Sequence, residues 1–131
     1  MPYSVVVTGS WPDTQISNVP VDLQMRAQNI GKPVPHLVMV FDGMARTWTA
    51  KRATGCGHPA VRLHPIGADP AFDFGPVQKN QICNFDLRVL PQLSSTSSIV
   101  YVRLFGAAIK GKVGQKVPIN GGMELSATVS G

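Results

Sequence analysis

Charge, cysteine and long apolar runs are all scarce in this chain of 131 residues. Only 15% of its residues are charged, against roughly 25% in an average soluble domain. Lys and Arg number 12 against 7 acidic residues, for a net charge of +5. No window gathers five or six like charges, so a basic arm is excluded. The denser places, Arg46, Lys51, Arg52 and Arg62, then Lys110, Lys112 and Lys116, fall in expected loop regions. Basic stripes that track phosphates are denser than this, so a nucleic-acid partner is not expected. No apolar stretch approaches the roughly 18 residues of a membrane-spanning helix. The start, MPYSVVVTGSW, lacks the basic beginning, apolar centre and small-residue cleavage site of a signal peptide. It is read as a chain not exported by that route, or as a domain excised from a longer one.

Catalytic signatures are missing too. There is no G-x-S-x-G elbow and no Gly-rich phosphate loop between a strand and a helix. The acidic residues are scattered, with no close pair on one strand phase. Ser94–Ser98 reads as a polar turn with no partnered base nearby. The expectation is a protein that is not an enzyme and takes no cofactor.

What the chain does have is turn chemistry and alternation. Gly and Pro occur 13 and 11 times, and 44% of residues are apolar. That combination suits short strands joined by turns. Val19, Val21, Leu23, Met25 and Ala27 alternate with Asp22, Gln24, Arg26 and Gln28, the period of a strand with one buried face. Cys83, Phe85, Leu87 and Val89 repeat the pattern, as do Met123, Leu125, Ala127 and Val129. His36–Phe41 and Ile99–Phe105 are nearly continuously apolar and β-branched. Such runs suit central strands covered on both faces, or strands whose outer face is used for contact.

Strands are also expected at Tyr3–Thr8 and Thr47–Ala50, with Trp48 as a candidate core aromatic. Asn29–Pro33, Asp42-Gly43, Gly75-Pro76 and Pro91–Ser98 punctuate the strands. Thr54–Gly75 reads as a long crossing between sheets, and Gly111–Gly122 as a wide loop. The fold class expected is all-β: an immunoglobulin-like Greek-key sandwich of about seven strands, one domain over residues 1–131.

The segment Val21–Val40, VDLQMRAQNIGKPVPHLVMV, resembles the strand–Asn-x-Gly–strand unit of bacterial extracytoplasmic immunoglobulin-like domains, CARDB-like adhesion modules among them. Phe74–Gln81 is similar to their turn before an alternating strand. The resemblance runs from Val19 to Val102 and is one of turns and alternation. It departs from the family pattern at Asn80, where Gly is usual, and in the Cys56 and Cys83 pair. It implies a binding, adhesion or spacer module outside the cytoplasm that engages a protein or glycan. A virion or surface-assembly subunit, such as a capsid decoration or tail protein, is the alternative.

Cys83 falls on the inward phase of its strand, and Cys56 sits at the Gly-Cys-Gly tip of the long crossing. Either the two form a disulfide that pins the crossing to the core, or one thiol is buried and the other exposed. An exposed free thiol is a liability, which favours the bond and an oxidising compartment. Cys56, His58 and His64 invite a metal reading. Their spacing matches no zinc module, and Asp69 or Asp73 would have to complete the set, so no metal site is expected. Leu37, Val38, Tyr101 and Leu104, on the two continuous apolar strands, are the candidate contact residues, with self-association as one consequence.

Overall fold

The computed structural model describes residues 3–12, 14–43, 48–64, 69–92, 97–107, 117–118 and 123–130. They form two packed β-sheets and no helix, the immunoglobulin-like sandwich class. The strands are β1 Val5–Ser10, β2 Thr14–Ile16, β3 Val21–Asn29, β4 His36–Asp42, β5 Trp48–Gly55 and β6 His58–Pro59. They continue as β7 Val61–Arg62, β8 Ala71–Asp73, β9 Ile82–Pro91, β10 Ser97–Ala107, β11 Val117–Pro118 and β12 Met123–Ser130. One sheet runs β1-β3-β9-β5-β6 and the other β2-β12-β10-β4-β8-β7, with β11 on β10. All pairings are antiparallel except β2 on β12.

Alternation explains the first sheet. Leu23, Met25 and Ala27 of β3 and Cys83, Phe85, Leu87 and Val89 of β9 turn inward. The register sets Leu23 opposite Leu87, Met25 opposite Phe85 and Ala27 opposite Cys83. Leu37, Met39 and Phe41 of β4 and Val102 and Leu104 of β10 meet them from the other sheet. Phe41–Phe72 and Phe74–Phe85 pack edge to face in the core, the latter with centroids 4.8 Å apart, and the Phe72 and Phe74 rings between them are tilted at 46°. Trp11 is a buried core aromatic; the side chain of Trp48, the one expected there, lies outside the described residues.

The Asn-x-Gly turn is a hydrogen-bond hub. Asn29 is fully buried at the end of β3. Its Nδ2 donates to the carbonyls of Lys32 and Val77, at 3.0 and 3.1 Å, and its Oδ1 accepts from the Gly31 N–H. An amide supplies both donors and an acceptor, which is why this buried position tolerates a polar residue. Asn80, where the resembled family carries Gly, adopts φ +65°. Asn is the side chain that enters the left-handed region most readily after Gly.

The expected long crossing is only partly a loop. β5 continues to Gly55, turns through Cys56 and Gly57 at φ +51° and +84°, and pairs back as β6. β7 and β8 then add to the edge of the second sheet beside β4. Cys56 and Cys83 are disulfide-bonded, so the β5–β6 turn is tied to β9.

Candidate binding surface

The contact residues expected from sequence are mostly inside. Leu37 is 0% exposed, Val38 1% and Leu104 3%. Leu37 and Leu104 point between the sheets. Val38 and Val40 point the other way, but they cluster with Leu63 and Ala71, which close over that face of β4. Three of the four are therefore unavailable to a partner: Leu37 and Leu104 are spent on the core between the sheets, and Val38 is buried with Leu63 and Ala71. Tyr101 is 48% exposed on the outer face of β10, near the Arg103–Asp42 ion pair at 3.4 Å. Of the residues weighed as metal ligands, Cys56, Asp69 and Asp73 have other partners. Cys56 is consumed by the disulfide, and Asp69 accepts from the Gly43 N–H. The buried Asp73 accepts from Gly75 and stands 3.1 Å from His36 Nδ1, close enough for an ion pair but misaligned for a hydrogen bond. The side chain of His58 lies outside the described residues, as do Arg46, Lys110, Lys112 and Lys116.

The outer face of the first sheet carries no signature in sequence, because its polar residues match the wet side of any alternating strand. The ladder arranges them in four rungs. Val6, Gln28 and Ile82 form the first, and Thr8, Arg26 and Asn84 the second. Ser10, Gln24, Asp86 and Thr54 form the third, and Asp22, Arg88 and Arg52 the fourth. A cleft of about 680 Å³ lies over the middle of this face, lined by Thr8, Ser10, Gln24, Arg26, Thr54, Asn84 and Asp86 among others. A second, of about 470 Å³, adjoins it at Thr54 and Asp86 and is walled by Lys51, Arg52, Arg62 and Arg88.

A β-bulge shapes the second cleft. Between Ala50 and Arg52 the register of β5 against β9 slips by one residue. Lys51 and Arg52 consequently both face solvent, while Ala50 and Ala53 both face the core. Arg88 is held bidentately by Asp22, Nε to Oδ1 at 3.0 Å and Nη2 to Oδ2 at 3.2 Å, which pushes the guanidinium pKa up. Arg62 donates from Nη2 to the carbonyls of Ala50 and Lys51, at 2.7 and 3.2 Å, and lies over the Phe72 ring at 4.8 Å. Asp86, where the two clefts meet, is treated differently. Its Oδ1 is buried with no hydrogen-bond partner among the described residues. Burial holds its carboxyl above the usual carboxylate range; Asp22 adds to the rise, and Arg88 and Arg52 oppose it.

No protein-family model matches this chain, and no curated protein matches it in sequence. Solved structures share its fold. A cohesin module from a family 33 glycoside hydrolase of Clostridium perfringens aligns with TM-score 0.68 at 9% identity, over 98% of each chain. CaCohA2 of Clostridium acetobutylicum, in its complex with CaDoc0917, aligns with TM-score 0.58 at 12% identity, over 97% of this chain and all of that one. AvmM, which catalyses macrocyclization in alchivemycin A biosynthesis, aligns with TM-score 0.58 at 10% identity, over 98% of this chain and 89% of its own. A CARDB domain of Pyrococcus furiosus is also matched, at TM-score 0.43. At these identities the likeness is one of fold: an immunoglobulin-like β-sandwich of the kind seen in cohesin modules.

Proposed function

We propose that this chain is a non-catalytic protein-binding module that works outside the cytoplasm and takes its partner on the outer face of the β1–β3–β9–β5 sheet. The observation that carries this reading is the junction of the two clefts at Asp86. A sheet face that serves only as a wet surface leaves its carboxylates hydrated or paired. Here Asp86 lines both clefts, and one of its carboxylate oxygens is buried without a donor among the described residues, an electrostatic cost that a face serving only as a wet surface does not need.

Several features support a protein partner. The outer positions of β1, β3 and β9 carry hydroxyl, amide and charged side chains, the mixed donors and acceptors that main-chain and side-chain groups of another protein can match. They include no aromatic ring on which a sugar would stack. CaCohA2, of similar fold, is seen in complex with another protein. The disulfide suits an oxidising compartment. Catalysis would need a nucleophile, acid or base with a partnering group; the carboxylate beside Asp86, Asp22, is held by Arg88 at both oxygens, and the other polar side chains around Asp86 are basic, amide or hydroxyl groups. Tyr101 belongs to the opposite sheet and is at most a separate contact.

The test is retention of secreted and envelope proteins of the source organism on the immobilised domain. A single protein should be retained by the wild type and by Tyr101→Ala, and lost with Thr54→Arg combined with Asn84→Arg. Retention that survives the Thr54/Asn84 double variant but fails with Tyr101→Ala would move the site to the other sheet.

A further inference from the structure

We infer that the partner presents an extended acidic segment laid along β9, with an apolar side chain at the Val6–Ile82 end and carboxylates at the Lys51–Arg52–Arg62–Arg88 end. This rests on the docking face proposed above and names the chemistry that would fill it. The four rungs are not equivalent. The first exposes two aliphatic side chains, Val6 at 49% and Ile82 at 46%. The middle two offer Thr8, Asn84, Ser10, Gln24 and Thr54, with Arg26 in one and Asp86 in the other. The fourth is cationic: with the neighbouring Lys51 and Arg62, four basic groups stand around Asp22 and Asp86. At about 3.4 Å per residue, the run from Ile82 to Arg88 spans roughly 20 Å, the reach of about six extended residues.

The cationic end is partly pre-organised, which lowers the entropy cost of binding. Arg88 is fixed by Asp22. Arg62 spends only Nη2 on the two carbonyls and is steadied by Phe72. Lys51 and Arg52 are exposed, and no ion pair holds them among the described residues. A guanidinium whose remaining N–H groups are free is suited to a carboxylate, which it can meet at two points. Nucleic acid fits less well: its phosphates repeat negative charge along every rung, while most of the basic groups gather at one end, and the described residues of the face include no ring for a base. A sulfated glycan likewise brings no apolar side chain for the Val6–Ile82 end.

The test uses the ¹⁵N-labelled 131-residue chain and a synthetic peptide of about seven residues, leucine at one end and alternating glutamate and aspartate at the other. Amide shifts should concentrate on Arg52, Thr54, Asn84, Asp86 and Arg88 and weaken with salt. Lys51→Glu and Arg52→Glu should each lower affinity about two- to fivefold, and the double variant should come to prefer a lysine-substituted peptide. Lys51 is exposed, so its variant keeps the test valid if Arg52→Glu disturbs the fold. Equal binding of the glutamine–asparagine version, tighter binding of a heparin oligosaccharide or oligo-thymidine, shifts spread over the other sheet, or no response would each overturn the inference. If the peptide fails while Thr54→Arg with Asn84→Arg still releases a retained protein, the docking face stands and only its acidic partner falls.

Discussion

Two glycines of the β5–β6 turn separate two kinds of residue-level constraint. A Cβ on Gly55 would overlap the ring edge of Phe85 and come within 2.9 Å of Phe74 Cδ1. Both rings are core aromatics packed edge to face, so neither has room to yield. Gly57 has open space around its Cβ direction but φ +84°. Gly55→Ala should therefore cost about 2–3 kcal/mol by overpacking and Gly57→Ala about 1–2 kcal/mol by backbone strain. Urea denaturation of the pair checks the order; equal losses would mean that the Phe74–Phe85 contact is looser than described. Asp86 gives a pH-dependent case. Its native pKa lies above its unfolded value, so the native state holds the proton more tightly. That contribution is complete below the unfolded pKa and is lost as pH rises through the native one. At neutral pH the ionised carboxylate is a net burden, and Asp86→Asn should raise Tm slightly at about pH 7, with the gain vanishing near pH 3. A lower Tm at neutral pH would mean that the carboxylate has a partner after all.

At the scale of elements, the disulfide has the clearest expected effect. It closes a loop with a sequence separation of 27 and joins a turn to a central strand. Reduction, or Cys56→Ala with Cys83→Ala, should cost about 3–4 kcal/mol by the loop-entropy argument. Amide exchange should accelerate first at Gly55–His58, and an unchanged denaturation midpoint would show that the turn needs no tether. The strands legible in sequence were those with a clean period. β3, β9 and β12 declared themselves by alternation, and β4 and β10 by β-branched runs. β5 was cut short at Ala50 because its bulge puts two cations side by side and breaks the alternation. β6, β7 and β8 are two or three residues long, and all three residues of β8 are buried, so no period exists to find. β2 joins the sheet through a parallel pairing that no local pattern encodes. The docking face was hidden for a related reason. Polar residues on an outer strand phase are what water alone would select, and only the register shows which of them share a rung and leave Asp86 Oδ1 without a donor.

For the whole molecule, the same covering strands decide solution state. The β4 run was expected to leave an apolar outer face and hence self-association. Leu63 and Ala71 instead bury Val38 and Val40. The exposed aliphatic residues among those described, Val6, Ile16, Val19, Ile30, Val61 and Ile82, are distributed over both sheets and their connecting turns. With a net charge of +5 opposing contact between copies, the isolated protein should sediment as a monomer at micromolar concentration. Leu63→Ala tests the cause. Leu63 is 7% exposed and its truncation should cost about 2–4 kcal/mol, uncovering Val38 and Val40 side by side on a central strand. The variant should bind a hydrophobic dye and associate as concentration rises, while a Tyr101→Ala variant stays monomeric. A dimeric wild type that Tyr101→Ala dissolves would show instead that the outer face of β10 mediates self-association and that the cover over β4 is not what keeps the copies apart.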